Sequence, residues 1–136
     1  MYNLYKNRLS VAKDCGTDSG CFTQNVVRVK SGSIDPTERD GSNFYKLIIA
    51  DGTQLNIANS WTYPQCDFNL YGNSNVCVLF QVDVNGAKNP NQIGQDVFLF
   101  VLKENGLHPS GCDSDACDNN GWGCACKVLR ENAINY

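Results

Sequence analysis

The stretch Phe44-Tyr-Lys-Leu-Ile-Ile-Ala-Asp-Gly-Thr-Gln-Leu-Asn-Ile-Ala58 decides how this chain is read. Two apolar-alternating runs, 44–50 and 53–58, flank Asp51-Gly52. Successive side chains of a strand point to opposite faces. Asp-Gly suits a type I′ turn, whose two central residues both need positive φ. A β-hairpin is therefore expected. Further along, Val76, Val78, Phe80, Val82 and Val84 are expected on one face of a strand. Val97 to Leu102 is apolar without a break, which fits a central strand covered on both faces. Asn105-Gly106 would turn it into a short return strand. Val26 to Lys30, short and β-branched, reads as another strand.

Residues 2–14 place Tyr2, Tyr5, Leu9 and Ala12 on one stripe, which predicts a short helix stopped by Gly16. The tail predicts a second short helix around Ala125 to Arg130 and an extended end. No repeat, linker or low-complexity tract divides the chain. The expected architecture is one α+β domain over 1–136, an N-terminal helix packed on an antiparallel β-sheet with disulfide-stapled loops.

Composition narrows the function. Charged residues make up 18% of the 136, below the usual quarter, and the net charge is −3. No Lys/Arg cluster provides the basic stripe that phosphate recognition needs, so nucleic acid is set aside. No segment is long and apolar enough to span a membrane. Eight cysteines stand at 15, 21, 66, 77, 112, 117, 124 and 126. An even count in an exported protein reads as a disulfide framework. The rival reading gives zinc the four thiolates of Cys112-x4-Cys117-x6-Cys124-x-Cys126. Against it, the paired C-x2-C knuckles of zinc ribbons are missing, and Asp113, Asp115 and Asp118 oppose a thiolate cluster. Cys15–Cys21 and Cys66–Cys77 are the expected pairs, the second tethering a loop worth about 2–3 kcal/mol. A direct Cys124–Cys126 bond would be strained, so each of these reaches back to Cys112 or Cys117. Oxidised cysteines without a secretory signal before Tyr2 imply that the exporting segment has been removed, Met1 then being an added start.

Little in the sequence points to catalysis. His108, the single histidine, lies beside Pro109 and reads as a solvated loop residue. No nucleophile elbow, P-loop or dinucleotide fingerprint is present. The densest polar segment is 83–96, between two strong strands. Asp83 and Asp96 would sit near each other at one end of the sheet, with Asn85 and Asn91 adding amide oxygens. Hard cations such as Ca²⁺ take six to eight such oxygens. The plainer reading is a loop held by Asx-turns with Lys88 balancing charge. Trp61 and Trp122 lie in polar loops, where packing over the core edge outweighs ligand stacking.

The segment Asp83-Val-Asn-Gly-Ala-Lys-Asn-Pro-Asn-Gln-Ile-Gly-Gln-Asp-Val-Phe98 resembles a stretch common in type IV pilin-like proteins and type II secretion pseudopilins of Gram-negative bacteria, with Asn89 where Gly is more usual. The hairpin from Tyr45 and the tail Cys124-Ala-Cys-Lys-Val-Leu-Arg-Glu-Asn-Ala-Ile-Asn-Tyr136 match the same pattern, Cys126 and Ala133 departing from it; the Trp61 loop is unmatched. The resemblance implies a filament subunit, anchored in the inner membrane facing the periplasm and then assembled with sister pilin or pseudopilin subunits into a periplasmic or extracellular filament. Assembly would run through an apolar half-helix that this sequence does not contain, residues 2–14 being the end of the helix's second half. Carried over residue by residue, it also implies a Ca²⁺ site at Asp83, Asn85, Asn91 and Asp96. The alternative is an adhesive minor or tip subunit that binds a surface ligand through the Cys112–Cys126 region or the Trp61 loop.

Overall fold

The computed structural model describes residues 6–30, 32–62, 64–118 and 120–134, and of residues 59–62 the backbone alone. Eight strands run β1 (Val11–Gly16), β2 (Phe44–Ile49), β3 (Gln54–Thr62), β4 (Phe68–Leu70), β5 (Asn73–Val76), β6 (Val78–Asp83), β7 (Val97–Lys103) and β8 (Gly106–Pro109). Helices α1 (Thr37–Asp40) and α2 (Ala125–Glu131) are short. Six strands form one antiparallel sheet in the order β1-β2-β3-β6-β7-β8, and β4-β5 form a small second one.

The hairpin forms where expected, with Phe44 opposite Ala58 and Ile48 opposite Gln54. Its turn is not type I′. Gly52 has φ +95° but Asp51 keeps negative φ, and the Gly52 amide donates to Ile49 O at 2.9 Å. The turn thus begins one residue earlier and ends in a glycine bulge. Asp51 serves it differently, its Oδ1 accepting from the Thr53 amide at 2.9 Å.

The expected α+β architecture is corrected: the described chain is mostly β, without a long N-terminal helix on the sheet. Lys6 is helical, but residues 11–16 form the edge strand β1, bulged twice against β2; the first part of the expected helix lies outside the described residues. Pairing with Leu47, Ile48 and Ile49 overrides the local helical spacing, as tertiary context does with a weak propensity. Val26 to Lys30 is not a strand either. Val27 makes only isolated bridges, to Ser33 and Gln92. The tail helix is found as α2, ended by Asn132 in the left-handed region at φ 51°.

The sheet's two faces differ in kind. On the first, cross-strand rows run Tyr45–Ile57–Phe80–Phe100 and Leu47–Leu55–Val82–Phe98. On the second, the rows are Lys46–Asn56–Gln81–Leu99 and Gln54–Asp83–Val97. The second face is apolar towards β7, where Val97, Leu99 and Val101 join Val26, Ile34, Ile93 and Trp122 in the main core. Val97 to Leu102 is thus covered fully on one face only. Val76 also belongs to this core rather than to the row of Val78 and Phe80, because the ladder breaks at Cys77.

All eight cysteines are paired: Cys15–Cys21, Cys66–Cys77, Cys112–Cys126 and Cys117–Cys124. No thiolate is left for zinc.

Lys46 is fully buried opposite Asn56. Its ammonium donates to the carbonyls of Gly41 at 2.8 Å and of Thr17 and Asp40 at 3.2 Å. It thereby ties the end of α1, the Cys15–Cys21 loop and the sheet together. Methionine would keep the stem and strand these carbonyls, so Lys46→Met should cost about 3 kcal/mol in urea unfolding; a cost within about 0.5 kcal/mol of zero would refute the tie.

Candidate functional site

The 83–96 loop brings its four singled-out residues to one end of the β6–β7 pair, where the Val84 amide donates to Asp96 O at 2.9 Å. The loop packs against the β2–β3 turn. Gly86 has φ +65°, and a Cβ there would lie 2.3 Å from Gly52 O, so the turn and loop can meet only through glycine.

Asp83 is fully buried, and its Oδ2 accepts from Arg39 Nη1 at 3.1 Å and Gln24 Nε2 at 3.4 Å. Asp96 accepts the Asn91 amide at 2.7 Å and the Gln92 amide at 2.5 Å, one on each oxygen. Asn85 donates to Asn89 O at 3.3 Å. The Asn91 side-chain amide, oriented to satisfy both partners, donates to Gly86 O at 2.9 Å and Lys88 O at 3.0 Å.

These contacts test calcium. Asp83 Oδ2 is engaged by a guanidinium, both Asp96 oxygens by backbone amides and two loop carbonyls by an amide nitrogen, while Oδ1 of Asp83 and of Asn85 are buried without a partner among the described residues. Among the described residues no three acidic, histidine or cysteine side chains converge. Two free side-chain oxygens are fewer than the six to eight that a hard cation takes. Arg39 supplies the positive charge instead, and Lys88 is exposed.

Arg39 is the residue that the sequence reading missed. It lies in the polar stretch Asp35-Pro-Thr-Glu-Arg-Asp40, which looks like a solvated loop. The signal available was a helix start: Asp35 accepts from the Thr37 amide at 2.8 Å, and Glu38 reaches back to the Asp35 amide at 3.3 Å, as in a capping box. The resulting turn of helix aims Arg39 into the protein, where its side chain is 3% exposed and that of Asp83 0%. Burial pulls the guanidinium below its ordinary pKa although Asp83 opposes it, and pushes the Asp83 carboxyl up although Arg39 opposes it. The guanidinium carbon lies 5.2 Å from the centre of the Phe22 ring, while Nε and Nη2 have no hydrogen-bond acceptor among the described residues. Around the pair, Asn56 donates to Arg39 O at 2.9 Å and Gln81 to Glu38 O at 3.0 Å, so sheet side chains hold the carbonyls of α1.

The other face carries a different feature. A groove of about 400 Å³ runs over Leu55, Phe80, Val82, Phe98 and Phe100. Val128 and Leu129 of α2, Leu107 of β8 and Leu9 wall it. Among the described residues every one that lines it is apolar. Val84 is 55%, Leu107 58% and Leu129 63% exposed. Trp122 is buried in the core, so it packs rather than presents a ring; the Trp61 side chain lies outside the described residues. His108 stands in β8 opposite Val101, not in a loop.

No protein-family model, curated protein or solved structure matches the chain.

Two outcomes follow from the polar side. Asp96→Ala should lower stability by about 3 kcal/mol, about 10 °C in Tm, because two amides lose their acceptor, whereas EGTA should leave the wild-type melting curve unchanged. A fall in Tm with EGTA would restore the cation. Arg39→Met alone should cost about 3–5 kcal/mol, and adding Asp83→Leu should recover part of it, since the penalty is an unpaired buried charge. Additive losses in this double-mutant cycle would show the pair to be uncoupled.

Proposed function

We propose that this chain is the globular head of a filament subunit, a pilin or pseudopilin of a type IV pilus or type II secretion filament. The groove supports the reading. Its floor crosses three adjacent strands, β3, β6 and β7, with Leu107 of β8 as a wall. At about 4.8 Å between neighbouring strands, β3 to β8 spans about 14 Å, against about 10–12 Å for an α-helix with its side chains. A surface of this kind, apolar and without a polar group to orient a small ligand, accepts the apolar stripe of a helix. A sister subunit contributes that helix; residues 11–16 of this chain cannot, being strand β1. Burial is non-directional, which suits repeated packing of like subunits. The role is structural, not catalytic. Four disulfides suit a head that works outside the reducing cytoplasm, exported and membrane-anchored before assembly.

The full gene should encode a short basic leader and about twenty apolar residues ahead of this domain. A secretory signal whose small-residue cleavage site falls directly before Tyr2 would overturn the proposal. In the native host, Leu107→Glu and Val84→Asp should remove the subunit from filaments while Tm stays within a few degrees, because both side chains are already more than half exposed. Filaments of wild-type abundance in both variants would exclude the groove from assembly.

A further inference from the structure

The chain contains three Asn-Gly pairs, Asn85-Gly86, Asn105-Gly106 and Asn120-Gly121. Asn-Gly is chemically labile because glycine's bare backbone lets its nitrogen approach the preceding side-chain amide. The fold treats the three differently.

Two are immobilised. At Asn85 the amide nitrogen donates to Asn89 O, and Gly86 is pressed against Gly52 O. At Asn120 the side-chain oxygen accepts the Trp122 amide at 2.8 Å, and the Gly121 amide donates to Asp118 O at 3.2 Å. A Cβ on Gly121 would lie 2.5 Å from Ile93 O. Both pairs are thus held by hydrogen bonds and close packing.

Asn105-Gly106 is open. It closes the β7–β8 hairpin, where Lys103 pairs with Gly106. Asn105 is exposed, and a Cβ on Gly106 would meet nothing within 4 Å. Here a titratable side chain faces the amide oxygen, His108 Nε2 lying 2.8 Å from Asn105 Oδ1, whereas at Asn120 the Asp118 carboxylate accepts from the amide nitrogen at 3.5 Å. With Oδ1 assigned as the Asn105 atom that faces the ring, the tautomer that completes this hydrogen bond carries its proton on Nε2, since an amide oxygen only accepts.

We propose that Asn105 is a self-modification site, deamidated through a succinimide with His108 as the positioned donor. Gly106 N attacks Asn105 Cγ, forming a C–N bond. Negative charge gathers on Oδ1, where His108 Nε2–H stabilises it as an oxyanion-hole donor does. The Cγ–Nδ2 bond then breaks, and the nitrogen leaves as ammonia with the proton lost from Gly106 N–H. Water opens the succinimide to aspartate or β-aspartate; no electron transfer is involved. The product puts a new carboxylate beside Glu104, and the β-linked form lengthens the turn by one backbone atom. That shifts β8 against β7, where Leu107 pairs with Leu102, and so moves one wall of the groove. The reaction needs no partner and stands whether or not the filament reading does.

The test is peptide mapping by mass spectrometry of the intact folded protein aged in mildly alkaline buffer. Asn105 should convert several-fold faster than Asn85 and Asn120, and His108→Ala should slow it by at least about tenfold. In reduced, urea-unfolded chain the three sites should converge and the His108 effect should vanish. His108→Leu serves as a second variant should alanine disturb β8, with Tm checking the fold of each. Equal rates at the three folded sites, or an Asn105 rate unchanged in a folded His108 variant, would overturn the proposal.

Discussion

The buried pairing of Arg39 with Asp83 is the constraint on which the covered half of the molecule depends. Taking two ions out of water costs several kcal/mol each, and mutual attraction repays this only when the remaining polar atoms are also satisfied. Among the described residues that condition is met only in part, since Arg39 Nε and Nη2 and Asp83 Oδ1 have no partner, and the chain from 17 to 41 is arranged around the contacts the pair does make. α1 is one turn long, enough to deliver a guanidinium to the end of β6. Its last carbonyls are held by Lys46. The Asp40 carboxylate accepts the amides of Gly20, Cys21 and Phe22, drawing the Cys15–Cys21 loop onto the same corner. The segment is thus fixed by directional bonds at this corner as well as by the burial of Phe22, Val26 and Ile34.

The same pair explains why the sheet is two-faced. Gln54, Asn56 and Gln81 face the ions, where hydrogen-bonding side chains are needed; the rows on the opposite face have no such duty and are apolar throughout. Alternation along β2, β3 and β6 therefore means something unusual here. The polar phase faces the covered side, beneath loops, and the apolar phase lines a partly open groove. Hydrophobic-in, polar-out is the ordinary expectation for an antiparallel sheet with one solvated face, and for these strands it is inverted.

This inversion marks what was legible in the sequence. Strand positions were: the 44–58 hairpin, the β6 row and the return strand after Asn105 all depend on local period and turn chemistry. Cysteine spacing gave Cys15–Cys21 and Cys66–Cys77, and geometry excluded Cys124–Cys126 while leaving the two cross-pairings open. Strand β1 was not legible, because its residues carry a helical stripe and become strand only through pairing with β2. The loop at 83–96 forms between the two expected strands, but the guanidinium that meets Asp83 was not legible. Asp83 and Asp96 look like ligands for an external cation because the internal one, Arg39, is 44 residues away from Asp83 in sequence. A capping signature at Asp35-Pro-Thr-Glu38 announced the helix turn without telling which way its arginine would point.

The disulfides complete the division between a locked and an available face. Cys15–Cys21 lies at the β1 edge and Cys66–Cys77 at the start of β6. The remaining two, Cys112–Cys126 and Cys117–Cys124, bind the start of α2 to the preceding loop, which buries Trp122 in the core. α2 is too short to be stable alone, since isolated helices under about 12 residues are marginal in water. Held by two cross-links, it still offers Val128 and Leu129 as a wall of the groove. A wall fixed in advance loses little conformational entropy when a partner packs against it, and preorganisation of this kind is what lets a modest apolar surface bind. A further wall, Leu107 on the short edge strand β8, has no such cross-link. The groove therefore has one wall held by covalent bonds and one carried by the Asn105-Gly106 turn.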